Sequence, residues 1–307
     1  MTAPSPTAGL RQIYEAYATR AFEEASQQFS EDAEIYNHAT GDHFVGRDGY
    51  LHQAGAWAAA FPDLRLEILS CEGTERTAAV EYSLRGTHTG PFITSSGFLP
   101  PTQAHVELRL CDIVELDEGC ITRLSTYFDS AGMLRQMGLL PHSPLHAEDR
   151  RAPLELYATE VDAAAHQRHK AIVHRFMEEV MNQRDIAATA GLCSPEMVWH
   201  GGELGKAHDL RSFQNRLRSI FHSFPDLTVA SHDVIAENDR VAVRVTLRGT
   251  QLGHFRGIPP TGRQVTSSGM NTFRIVNNRI VEEWWQHDLL GLLKQLDAVS
   301  TTPASAR

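Results

Sequence analysis

Two four-residue strings occur twice in this chain at a single spacing. Phe61-Pro62-Asp63-Leu64 returns as Phe224-Pro225-Asp226-Leu227, and Leu84-Arg85-Gly86-Thr87 returns as Leu247-Arg248-Gly249-Thr250, each 163 residues on (61 to 224, 84 to 247). Two matches at one offset imply a duplicated domain. After a slip of four, the correspondence resumes at 159 residues: Pro101-Thr102 with Pro260-Thr261, Ile121 with Ile280, Asp129 with Asp288. The slip falls where copy 1 carries Ile93 to Pro100 and copy 2 only Arg256 to Pro259, which marks a surface loop. The expected layout is copy 1 over 1–140, a linker over 141–165 broken by Pro141, Pro144 and Pro153, copy 2 over 166–299, and a tail over 300–307. Each copy is long enough to bury its own core.

Periodicity gives each copy the same order of elements. Leu10, Ile13, Tyr14, Tyr17 and Phe22 fall on one face of an opening helix, as do Ile172, Val173, Phe176, Met177 and Val180 in copy 2. A short β segment follows (34–38; 197–200), then a second helix that ends at Phe-Pro, because the residue before proline is pushed out of helical conformation. Beyond it the pattern alternates with period two, in 64–68 and in 241–245, with hairpin signals at Asp117-Glu118-Gly119 and Asn277-Asn278. A short helix closes each copy. Helices followed by a run of strands predict an α+β fold: two tandem cone-shaped domains, each a curved antiparallel sheet wrapped by N-terminal helices, with an inner face able to hold a ligand.

Charge and composition narrow the partners. A formal net charge of −10 argues against binding a nucleic-acid backbone, which needs clustered Lys and Arg. No apolar run approaches a membrane span, and residues 1–9 lack a signal-peptide core. Cys71, Cys111, Cys120 and Cys193 show no paired spacing, so reduced thiols and a cytoplasmic location are expected. Among the 16 histidines, His166, His169 and His174 lie on a charged helical segment with an isolated i, i+3 pair, and His38, His43, His88 and His105 lack a cysteine or carboxylate at ligand spacing. No phosphate cradle or nucleophile motif appears, so neither a metal nor a cofactor is expected.

The strings read together resemble the SnoaL-like polyketide (ester) cyclases, of the nuclear-transport-factor-2-like superfamily. Copy 2 carries the pattern at 224–227, 248–255, 259–262 and 283–296; copy 1 carries it at 61–64, 85–92 and 129–137, with Ser125 in place of the tryptophan and Gln103 in place of the glycine. The resemblance implies a cone fold, an intramolecular pseudo-dimer with a homodimer of such chains as a further option, and a small hydrophobic metabolite as ligand. It also implies that the aspartate matching Asp129 and Asp288 is the general acid/base of an aldol-type ring closure. An aspartate at a strand end before a helix is equally suited to capping that helix. Family members often carry a histidine two or three positions earlier; here those places hold Gln286 and Trp285, or Tyr127 and Thr126.

Further candidates surround these aspartates. Alternation puts Trp284 and Gln286 on the face of Asp288, with Tyr127 and Ser125 their counterparts, and turns Trp285 and His287 away. Arg274 and Glu115 occupy equivalent places across the hairpin, where they would lower or raise a neighbouring carboxyl pKa. In the first strand, Asn37 aligns with His200, beside Trp199, and His200 could act as a base or polarise an enolate. The catalytic candidates are therefore Asp288, His200 and Asp129, with Gln286, Trp284, Trp199, Arg274, Asn37, Tyr127 and Glu115 as substrate contacts. The leading expectation is cofactor-independent cyclisation or isomerisation of a polyketide-like metabolite in secondary metabolism. Epoxide opening by a carboxylate pair such as Glu115 with Asp129, or non-catalytic ligand binding, are the alternatives. Copy 2 is favoured as the working cone.

Overall fold

The computed structural model describes residues 6–94, 97–140, 163–201 and 206–298. Copy 1 runs α1 (Pro6–Thr19), α2 (Phe22–Ser26), β1 (Phe29–Asn37), β2 (Asp42–Val45), α3 (Gly46–Ala60), β3 (Arg65–Gly73), β4 (Thr77–Thr87), β5 (Phe92–Thr94), β6 (Gly97–Leu99), β7 (His105–Asp117), β8 (Cys120–Phe128) and α4 (Ser130–Gln136). Copy 2 runs α5 (Ala163–Arg175), a π-helical turn (Phe176–Asn182), a 3-10 turn (Ile186–Ala188), α6 (Thr189–Leu192), β9 (Cys193–His200), β10 (Lys206–Ala207), α7 (Leu210–Ser223), β11 (Thr228–Glu237), β12 (Arg240–Thr250), β13 (Gln264–Val276), β14 (Arg279–His287) and α8 (Leu289–Gln295). The chain divides into two compact units, the second beginning at Ala163. Of the expected linker, 141–162 lie outside the described residues, as does the tail.

Each copy is an α+β cone built on a six-stranded sheet. The strand orders are β2-β1-β8-β7-β4-β3 and β10-β9-β14-β13-β12-β11, the same path twice. Most neighbours are antiparallel, but β1 runs parallel to β8 and β9 parallel to β14. The first strand of each copy meets the last across the whole domain, where no hairpin dictates direction. Helices cover one face. In copy 1, Phe29 of β1 stacks on Tyr50 of α3 at 4.5 Å between ring centres. Trp57, Phe61 and Phe92 pack together at the end of that helix.

The repeated strings turn out to be halves of one clamp. The carboxylate of Asp63 accepts from the Thr87 backbone N–H (2.6 Å) and hydroxyl (2.8 Å). Asp226 does the same with Thr250, at 2.6 Å for both bonds. These bonds hold both aspartate carboxyls below their ordinary range. A Cβ on Gly86 or Gly249 would sit tightly against the Asp63 and Asp226 corners, 3.1 and 3.3 Å from the nearest atoms. Phe-Pro-Asp-Leu and Leu-Arg-Gly-Thr therefore share an offset because they bind each other.

Other repeated positions serve the scaffold as well. Gln136 of α4 exchanges two hydrogen bonds with the Glu107 backbone (2.8 and 2.9 Å), and Gln295 of α8 does so with Thr266 (both 2.8 Å). At the loop before the Pro-Thr pair, His88 bonds Thr102 and Gln251 bonds Thr261, two different residues organising one turn. The extra residues of copy 1 form the β5–β6 hairpin, which leaves Ile93 and Phe98 exposed. Asn277 and Asn278 both take left-handed φ (52° and 57°), as Glu118 and Gly119 do (47° and 83°), which is the backbone a tight hairpin requires. All four cysteines are free thiols. Among the described residues no helix is long and apolar enough to cross a membrane.

Candidate functional site

Between helices and sheet, each copy leaves a cavity, and the two are furnished differently. In copy 1 the cavity encloses about 590 Å³ of space not filled by atoms, part of it open to solvent, walled by α1, α3 and the middle strands. Most of the lining is Leu, Ile, Val, Phe and Trp. At its floor, on β7, stands Asp112, 3 % exposed. Tyr14 of α1 donates to its Oδ2 at 2.8 Å and Tyr82 of β4 to its Oδ1 at 3.3 Å. The Thr126 hydroxyl on the paired strand donates as well. Burial pushes the Asp112 carboxyl up to about 6, although these three hydroxyls pull the other way. Burial, then the adjacent carboxylate, raises the Tyr14 and Tyr82 phenols, so both stay protonated donors at neutral pH. Gln53 of α3 lines the same cavity, and its amide bonds no side chain or backbone group among the described residues.

Copy 2 has a tighter cavity, about 270 Å³ on the same measure, against β9, β13, β14, α7 and the π-helical turn. Asn271 stands where copy 1 has Asp112, and the carboxyl has moved one strand over, to Glu283 of β14, 3 % exposed. Asn271 Nδ2 donates to Glu283 Oε1 at 2.7 Å, and its Oδ1 accepts from His287 Nε2 at 2.9 Å. With Nε2 bearing the proton, His287 Nδ1 is a bare lone pair; neither it nor Glu283 Oε2 has a hydrogen-bond partner among the described residues. Burial pushes Glu283 up to about 8, against the pull of Asn271, and pushes His287 down to about 3. At neutral pH both are therefore uncharged: an acid and a base joined through one amide.

The aspartates favoured by sequence sit elsewhere. Asp129 caps α4, its Oδ1 accepting from Gly132 N at 2.9 Å, and Asp288 caps α8 through Gly291 N at 2.7 Å. Neither lines a cavity described above. His200, Arg274 and Trp284 are brought together, but on the sheet face opposite Glu283. His200 Nε2 lies 2.8 Å from Glu282 Oε1 and stacks on Trp284, while Arg274 Nε donates to Glu282 Oε2 at 3.1 Å. Burial raises Glu282, yet His200 and Arg274 outweigh it and hold the carboxyl below its usual range. Gln286 shares that face by alternation. Tyr127 stacks on His38 at 4.5 Å in copy 1. Asn37 receives the Ala39 and Thr40 backbone N–H groups in a turn. Glu115 pairs with exposed Arg123 at the hairpin end of β7 and β8, whereas Asp129 follows their other end, so no Glu115–Asp129 carboxylate pair forms.

Trp199 is the member of the sequence-derived set that lines a cavity, 5.7 Å from Trp285 between ring centres. Its neighbour His200 points away, and the strand register explains why. His200 lies opposite Trp284, the counterpart of Ser125, and Ser125 lies opposite Tyr36, not Asn37. The first strands thus correspond one residue off the 163 spacing, and a one-residue slip turns every side chain to the other face. Asp112 and Glu283 did leave a signal. Asp112 interrupts the apolar alternation Leu110, Val114 on one strand face, and in the pair Glu282-Glu283 one carboxyl must point inward.

The model of the SnoaL-like polyketide cyclase family matches the chain twice, at residues 8–137 and 171–296. No curated protein matches it. Similar solved structures include IdmH of Streptomyces antibioticus, assigned as a polyketide cyclase (31 % identity over 42 % of this chain and 98 % of that one, TM-score 0.38). AclR of Streptomyces galilaeus, assigned as a hydroxylase, shows 27 % identity over 45 % of this chain and 91 % of its own, TM-score 0.41. A protein of Jannaschia sp. CCS1 assigned as a SnoaL-like polyketide cyclase shows 22 % identity over 46 % of this chain and 100 % of its own, TM-score 0.43. Matched over both of its copies, the chain belongs to the SnoaL-like polyketide cyclase family as a tandem repeat.

Proposed function

We propose that copy 1 is an acid/base cyclase or isomerase for a hydrophobic, oxygenated, polyketide-like metabolite, with Asp112 as the group that moves the proton. The observation that carries this reading is the Asp112 carboxyl, its pKa raised to about 6, on the wall of a largely apolar cavity. As carboxylate, Asp112 removes a proton from a carbon activated by adjacent carbonyls. The Gln53 amide offers a donor to the enolate oxygen that develops, while Tyr14 and Tyr82 keep their hydroxyl hydrogens on Asp112. The enolate carbon then attacks a second carbonyl of the same molecule, and protonated Asp112 returns its proton to the new alkoxide. Trp57 and the leucines of the wall exclude water and seat the flat hydrocarbon part. Family membership supports the reaction class.

Deuterium uptake from D2O at the α-carbon of an aryl β-diketone tests the step without knowledge of the natural substrate. Wild type and Asp129→Asn are expected to catalyse exchange, and Asp112→Asn to lose roughly 100-fold or more, the usual contribution of a general base. Exchange unchanged in Asp112→Asn would overturn the assignment, and exchange absent in wild type would favour a binding protein.

A further inference from the structure

Copy 2 cannot repeat the chemistry proposed for copy 1, because the position of Asp112 is an amide there and the position of Gln53 is Arg216. Arg216 of α7 lines the copy 2 cavity with its guanidinium 5.8 Å from the Trp199 ring centre. It is partly buried and makes no ion pair among the described residues. Burial and the neighbouring Arg256 both lower its pKa, so it is a cation in a place that disfavours cations. Such a charge asks for an anion, and the buried carboxyl lining the same cavity does not supply one: Glu283 is held neutral and is engaged by Asn271. Its Oε2, buried and without a partner, remains a hydrogen-bond donor when protonated. Flat walls complete the cavity in Trp199 and Trp285.

We propose that copy 2 is a second ligand site, taking a small planar carboxylate whose head lies on Arg216 and whose ring lies against Trp199 and Trp285. Guanidinium and carboxylate match in planar, two-pronged geometry, and a neutral Glu283 adds a donor where an ionised one would repel. The cavity is smaller than that of copy 1, about 270 against 590 Å³ on the same measure.

Benzoate and its neutral isostere benzamide are the probes, titrated against the full chain by tryptophan fluorescence. Benzoate is expected to quench saturably and to bind about tenfold or more tightly than benzamide. Arg216→Gln, the residue of copy 1, is expected to erase that preference, and Arg216→Lys to keep part of it. Equal affinity for the two probes, or an Arg216→Gln variant that binds benzoate as wild type does, overturns the proposal. Indole N–H shifts on the wild-type chain give an answer that needs no variant. Benzoate should move Trp199 and Trp285, and a titration in which those two stay still also overturns it.

Discussion

At the scale of single residues, the chemistry rests on which uncharged forms the cavities impose. Glu283 carries a raised pKa, so its protonated form is favoured by folding, and stability is lost as pH rises from the ordinary carboxyl range through about 8. His287 carries a lowered one, so its penalty appears only as pH falls below the usual imidazole value toward about 3. Between pH 6.5 and 8 only the first acts. Unfolding free energy should therefore drop by about 2 kcal/mol across that window, at 1.36 kcal/mol per unit. Glu283→Gln keeps an oxygen for Asn271 and should flatten the slope; denaturant titrations at the two pH values read it directly. Gly269 belongs to the same cluster. A Cβ there would collide with Cγ and Nδ1 of His287, which pairs with it across the strands. Gly269→Ala is expected to cost about 1–3 kcal/mol and to displace the imidazole.

At the scale of elements, repeated residues and reactive residues separate. Asp63 and Asp226 tie the end of a helix to a strand, Gln136 and Gln295 tie the last helix to another, and Asp129 and Asp288 cap that helix. Repetition in the sequence thus marked the scaffold, the two capping aspartates included. Removing one clamp in Asp226→Ala should cost about 1 kcal/mol, the loss of two charge-assisted bonds at an exposed corner. Asp288→Asn keeps a capping oxygen and should leave thermal stability nearly unchanged, while Asp288→Ala costs about 1 kcal/mol. If Asp288→Asn instead abolished deuterium uptake with stability intact, the capping role would be incomplete.

The fold was legible because it is written in periodicity, turn chemistry and paired motifs, all local or repeated. The site was less so, for a physical reason. On β14 both faces are buried, with Trp284 at 1 % exposure on one side and Glu283 at 3 % on the other, so alternation identifies two faces without saying which one the helices cover. The π-helical turn in copy 2 and the shifted pairing of its first strand hid the rest: His200 and Trp199 exchange faces under a slip of one.

For the whole molecule, duplication kept one scaffold and diverged the interiors. Copy 1 holds an ionisable aspartate among three hydroxyls, and copy 2 a neutral acid and base bridged by an amide beside an arginine that makes no ion pair among the described residues. The central claim is that the reacting carboxyl lies on the cavity floor of copy 1. Carbon-13 titration of side-chain carboxyls in wild type and Asp112→Asn tests it most directly. The account predicts an aspartate resonance titrating near pH 6 in wild type and missing from Asp112→Asn. An Asp112 carboxyl that titrates in the ordinary range near 4, or an upshifted aspartate that survives the substitution, would contradict it.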